Sequence, residues 1–192
     1  LLGWAPDGEG AVVAAEDLLE RFTLERVGVS PATFDYAKLD WMNGLYLRAL
    51  PPEAYADELV AYLSERGIDW REDRIRAAAP LVQEKIGRLG EFAEFAGFLF
   101  HEVDPDPDQL DAEIVSQAAA ALSRLDRWDA ASIESALKAL CEELGQKPRQ
   151  VFAPVRVAVT GSRVSPGLYE SLELLGRDEA LARLSRAAEL GR

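Results

Sequence analysis

Along most of the chain, apolar residues return every three or four positions, the repeat that turns one face of an α-helix inward. The first strong case is PATFDYAKLDWMNGLYLRAL, residues 31–50. Asp35 is placed as its N-cap and Phe34 as a staple onto Leu39, while Leu39, Met42, Tyr46 and Ala49 form the expected apolar stripe. Lys38, Asn43 and Arg48 project from the other faces, Trp41 and Tyr46 are assigned to the core, and Pro51-Pro52 ends the helix. A second helix follows, with Tyr55, Leu59, Tyr62 and Leu63 on one face and Gly67 as its stop. Residues 70–79 read as a third, halted or bent at Pro80, and 81–100 as another, ending in a core cluster of Phe92, Phe95, Phe98 and Phe100.

DPDPD at 104–108 cannot continue a helix and reads as a stiff boundary between two helical bodies. Beyond it, Leu110, Ile114, Ala118, Leu122 and Leu125 make one stripe. Trp128-Asp129 repeats the staple and cap, and Ile133, Leu137, Leu140 and Leu144 make the next stripe, closed by Gly145. Ser165-Pro166 is read as a helix start and Gly176 as a stop, before a last helix over about 178–190 carrying Leu181, Leu184 and Leu190.

VRVAVTG, residues 155–161, alternates like a strand, but a lone strand among helices would have no ladder partner. Read as helix, it puts Phe152, Val155 and Val159 on one face and caps at Gly161, with a kink or fresh start expected at Pro154. Helical phase then lines up Arg149 and Arg156, seven residues apart, with Arg163 extending the line past the helix end. Arg156 is expected to face solvent. The expected fold is therefore all-α, with two or more helical bundles in series.

Composition changes this picture little. With 29% charged and 48% apolar residues the chain is an ordinary globular sequence, and it has no 18-residue apolar run of the kind that spans membranes. The start, LLGWAPDGEG, lacks Met and a basic stretch, so it is neither a signal peptide nor a natural start and reads as a cut into a longer protein. Charge is more informative. The net value is −13, yet residues 144–192 hold 8 Lys and Arg against 5 Asp and Glu, leaving 13 against 29 for the rest. A basic quarter on an acidic body suits either local RNA contact or plain solvated surface.

With one His (His101) and one Cys (Cys141), no Cys/His zinc site or internal disulfide can form, and a reducing cytoplasm is expected. No phosphate loop, G-x-S-x-G, H-E-x-x-H or C-x-x-C is present. The residues point to a binding module rather than a catalytic body.

FDYAKLDWMNGLYLRAL resembles the F-D-x-x-K-L-x-W-x-N-x-x-Y segment of bacterial glutamyl-tRNA synthetases, and PVRVAVTGSRVSPGLYESLELLG resembles their C-terminal P-L-R-x-A-L-T-G and P-x-L-(F/Y) blocks. The opening LLGW is similar to the L-L-G-(W/F) of the same family. The resemblance implies the C-terminal part of a class I aminoacyl-tRNA synthetase that uses ATP, Mg²⁺, glutamate and tRNA. The His-Ile-Gly-His and Lys-Met-Ser-Lys-Ser types of motif are missing, so this part is expected to bind tRNA and catalyse nothing, with no cofactor of its own. It implies the end of a stem-contact domain at 1–50 and two helical anticodon-binding bodies at 51–107 and 108–192.

By the same resemblance Arg156 contacts anticodon bases, and Ser165, Pro166, Leu168 and Tyr169 pack or bond around them. Lys85 stands where relatives often carry the arginine that reads the third anticodon base. A point donor is not equivalent to a planar fork, which leaves discrimination between glutamate and glutamine tRNAs open. Arg149, Arg163, Lys38 and Asn43 are weaker candidates for the RNA backbone. A monomer with no DNA or membrane partner is expected. The competing reading is a helical protein–protein scaffold, in which the arginines are ordinary surface.

Overall fold

The computed structural model describes Trp4, Val13, residues 15–28 and residues 33–191. These form ten helices: α1 Ala15–Arg21, α2 Tyr36–Ala49, α3 Pro52–Glu65, α4 Glu72–Val82, α5 Phe92–Ala96, α6 Ala112–Ser123, α7 Ala130–Leu144, α8 Pro148–Thr160, α9 Leu168–Leu175 and α10 Arg177–Leu190. No strand occurs among the described residues, so the fold is all-α. Most of the LLGW block (Leu1–Gly3) and Pro31-Ala32 of the first helical segment lie outside the described residues.

Side-chain caps set several boundaries. Asp35, Asp111 and Asp129 each accept a hydrogen bond from the backbone N–H three residues on, at 2.8–3.0 Å, and so satisfy an orphan donor of the first turn. At the other ends, Gly67, Gly145 and Gly161 adopt φ of +71°, +61° and +70°, where a side chain would be strained. Around Gly67, Ile68 N–H bonds Leu63 C=O while Gly67 N–H bonds Ser64 C=O, a paired closure that consumes two orphan carbonyls.

Several expectations need correction. The stretch 81–100 is not one helix: it breaks into a turn at 83–88, a 3-10 turn at Leu89–Glu91, the short α5 and a second 3-10 turn at Gly97–Leu99. Gly87, Gly90 and Gly97 interrupt it, and the aromatics still reach the core, with Trp70 stacked on Phe100 at 4.2 Å. In α2 the buried positions are Gly44 and Leu47, not the Leu39, Met42, Tyr46, Ala49 stripe; Trp41 and Tyr46 are about half exposed. The reason is the neighbour: the buried amide of Gln83 donates to Leu47 and Leu50 C=O, both at 2.9 Å, and this contact fixes which face turns inward. Phe34 and Leu39 are likewise half exposed, so no staple is buried there.

α8 starts at Pro148 and runs unbroken through Pro154 to Thr160, and α9 starts at Leu168 behind Gly167, not at Ser165-Pro166. Trp128 does more than staple, because its indole N–H donates to Leu172 C=O of α9 at 2.9 Å.

The second half is a five-helix bundle in which α10 lies against α6, α8 and α9, while α7 packs on α6, α8 and α9. The first half is built on the α3–α4 pair, closed by α5 and its turns. One continuous apolar core passes from Tyr55, Leu59 and Phe92 to Leu122, Leu137, Val155 and Leu184. The halves meet where α4 and the 97–99 turn touch α8 and α9. Asp106 caps a 3-10 turn that opens at Pro107, and Pro105 is buried while the other four residues of DPDPD are exposed.

Candidate functional site

α8 buries Val151, Val155, Ala158 and Val159 and leaves Arg149 exposed, while Phe152, expected on the inner face, is only partly buried against the core. Its N-terminus is fixed by Gln150, whose Oε1 accepts from Lys147 N–H at 2.9 Å. Beside this helix lies an open groove of about 550 Å³ lined by Gln109, Arg149, Gln150, Phe152, Arg156 and Arg163, among others. The three arginines picked out by their seven-residue spacing therefore border one concavity. Arg149 and Arg163 are exposed and make no ion pair with the described residues.

Arg156 is placed differently from the expectation: it is half-buried. Its Nη1 donates to Pro166 C=O at 2.7 Å and to the Ser165 hydroxyl. Burial pushes the guanidinium down from its ordinary value, partly offset by Tyr169 and Glu170, and arginine stays charged throughout the physiological range. Nε and Nη2 make no hydrogen bond within the described residues. One edge of the fork is thus anchored, and the other retains a pair of donors of the kind that binds base edges or phosphate. These bonds use the Ser165 and Pro166 oxygens as acceptors.

Tyr169 is half-buried and meets Phe152 edge-on, ring centroids 5.8 Å apart. Burial and the Glu134 carboxylate push its phenol up, keeping it a neutral donor at physiological pH. Pro166 and Leu168 are buried beneath this surface. Lys85 lies apart on the 83–88 turn of the first half, exposed, next to the core residue Ile86. Asn43 is committed: its Nδ2 donates to Gly87 C=O at 2.6 Å, bracing that turn from α2. Lys38 is exposed on α2, its backbone N–H taken by Asp35.

Sequence reasoning missed Gln109 and Gln150 in the groove, since lone glutamines carry no pattern. It also passed over Arg183, 5% exposed inside the bundle. The Glu179–Arg183 spacing of four, on the face shared with Ala180, Leu184 and Ala187, is the signal that marks it.

A family model described as "Anticodon binding domain" matches residues 54–188. The chain is 45% identical to glutamate–tRNA ligase of Acidothermus cellulolyticus over 99% of its length, and 42% identical to that of Kineococcus radiotolerans over 97%. It spans 41% and 40% of the lengths of these two relatives. Among solved structures, a glutamate tRNA ligase from Elizabethkingia meningosepticum shares the fold with a TM-score of 0.83 over 98% of this chain and 39% of that one, at 24% identity.

Proposed function

The chain belongs to the anticodon-binding domain family, and on that premise we propose that it is the tRNA-reading part of a cytoplasmic, monomeric glutamate–tRNA ligase. Within this proposal residues 1–50 end a stem-contact domain, and 51–107 and 108–192 are the two anticodon-binding bodies. The observation that carries it is the groove beside α8, where three arginines converge and one of them, Arg156, is anchored by one edge and open along the other. RNA is read on splayed loop bases, by aromatic stacking and by planar donors, and this surface offers both in Tyr169, Phe152 and Arg156. Ser165 and Pro166 hold Arg156, and Leu168 with Pro166 forms the floor beneath Tyr169. Arg149 and Arg163 supply phosphate contacts at the groove mouth. Lys85 contacts a further anticodon base, and Lys38 the stem side; Asn43 acts by bracing the turn that carries Lys85.

No cluster of three or more His, Cys, Asp or Glu side chains among the described residues is placed to hold a metal ion. Within this proposal ATP, Mg²⁺ and glutamate activation belong to the rest of the ligase.

The test is equilibrium binding of a glutamate-tRNA anticodon stem-loop at several salt concentrations. Arg149→Ala and Arg163→Ala should each weaken binding across all stem-loop sequences and lower the salt slope by about 1. No salt-dependent binding by the chain would contradict the proposal and favour the protein–protein scaffold.

A further inference from the structure

The two halves meet at a small junction, and one buried side chain bridges it. Arg183 sits on the inner face of α10. Its Nη1 donates to Phe98 C=O and to Val159 C=O, both at 2.9 Å, and its Nη2 to His101 C=O at 3.0 Å. Its Nε pairs with Glu179 at 2.6 Å. Phe98 and His101 belong to the turn that ends the first half, whereas Val159 is in the last turn of α8, three residues from Arg156.

The geometry has a physical logic. The last carbonyls of a helix lack an intrahelical donor, and so do those of an irregular turn; a planar cation with a fixed fork serves both at once. The fork also imposes direction: both acceptor sets must lie in the guanidinium plane at hydrogen-bond distance. A buried guanidinium that lost one set would keep N–H donors without acceptors, so the arrangement resists any change in the angle between the halves. Around the fork, a small cleft of about 180 Å³ is lined by Val103, Asp104, Pro105, Ala158 and Arg186, among others, and Arg186 reaches Glu102 at 3.6 Å. Gly161 closes the contact from the other side: a Cβ there would come within 3.2 Å of the Val103 Cβ.

We propose that Arg183 is a positioning residue for anticodon recognition: it locks the orientation of the Lys85-bearing half against the Arg156 groove, so that one RNA loop meets both at once. The inference rests on the reading above that Lys85 and Arg156 contact the same RNA. It asks nothing of Arg183 at the RNA itself, since the side chain is buried inside the bundle.

The experiment uses the full chain with fluorophores on Glu65→Cys and Ser135→Cys in a Cys141→Ala background, together with stem-loop binding. In the otherwise unaltered chain a single narrow inter-dye distance is expected, and Lys85→Ala should weaken binding several-fold. In Arg183→Met the distance distribution should broaden, and the Lys85→Ala effect should fall below twofold while Arg149→Ala keeps its full effect. A change that acted on stability alone would lower the unfolding midpoint and leave both readouts of the folded chain unchanged, and that result overturns the proposal. A broadened distance with an undiminished Lys85→Ala effect overturns it too. If Lys85→Ala is silent even in the unaltered chain, the lock stands on the distance readout and the role given to Lys85 under "Proposed function" falls. Should Arg183→Met fail to fold, Arg183→Lys keeps the charge without the fork and is read in the same way.

Discussion

The groove beside α8 and the junction at α10 are both arginine sites, and they are built in opposite ways. At the junction Arg183 is 5% exposed and bonded to three backbone carbonyls and a carboxylate. At the groove mouth Arg149 and Arg163 are exposed with no ion pair among the described residues. Arg156 stands between the two, anchored by one nitrogen and open along Nε and Nη2. An arginine whose donors are consumed by the protein contributes to shape; one whose donors are left to solvent contributes to binding. The comparison assigns a different experimental signature to each residue.

The largest effect should come at the junction. Arg183→Met leaves three backbone carbonyls without their side-chain donor, while the exposed Glu179 keeps Arg186 at 3.7 Å; a buried acceptor left unpaired typically costs about 1–3 kcal/mol. Denaturant unfolding should show it, while Arg149→Ala should stay within about 0.5 kcal/mol. Equal losses for the two would erase the distinction. Next comes Gly161→Ala, which forces a left-handed backbone on alanine and presses on Val103; a loss of about 1–2 kcal/mol is expected, with little change in affinity for RNA.

The smallest effect is a pH dependence. Hydrogen bonds from Ser132, with Arg127 nearby, hold the Asp129 carboxyl below its usual range. A depressed acid stabilises the fold above its unfolded pKa and loses that contribution as pH falls through the folded one. Thermal melts from neutral to acid pH should therefore show a slope that Asp129→Asn reduces. A pH profile identical in the two proteins would remove Asp129 from the account.

How far the sequence reached depended on whether a feature was local. The caps at Asp35 and Asp129 and the glycine stops at Gly145 and Gly161 follow from a few neighbouring residues, and they stand where the pattern places them. Two of the three residues assigned to the inner face of α8, Val155 and Val159, are fully buried, while Phe152 is only partly so. What failed was decided by distant partners. The inward face of α2 is chosen by Gln83, 36 residues from Leu47, and no spacing within the helix encodes that. The half-burial of Arg156 depends on where the 162–167 loop folds back, since Pro166, ten residues on, supplies the carbonyl that anchors it. Arg183 was invisible as a bridge for the same reason, since Phe98 lies 85 residues away.

The central claim is that the groove reads bases through the open edge of Arg156, with Arg149 gripping the backbone. Binding should be measured for a glutamate-tRNA anticodon stem-loop and for loops with each anticodon base changed in turn. For the unaltered chain each base change should cost a distinct factor. Arg156→Ala should flatten one of those differences, a loss of about 1–3 kcal/mol of discrimination, whereas Arg149→Ala should lower every affinity by a similar factor and keep the ranking. If both variants weaken all loops alike, Arg156 contributes charge only and the base-reading account is wrong.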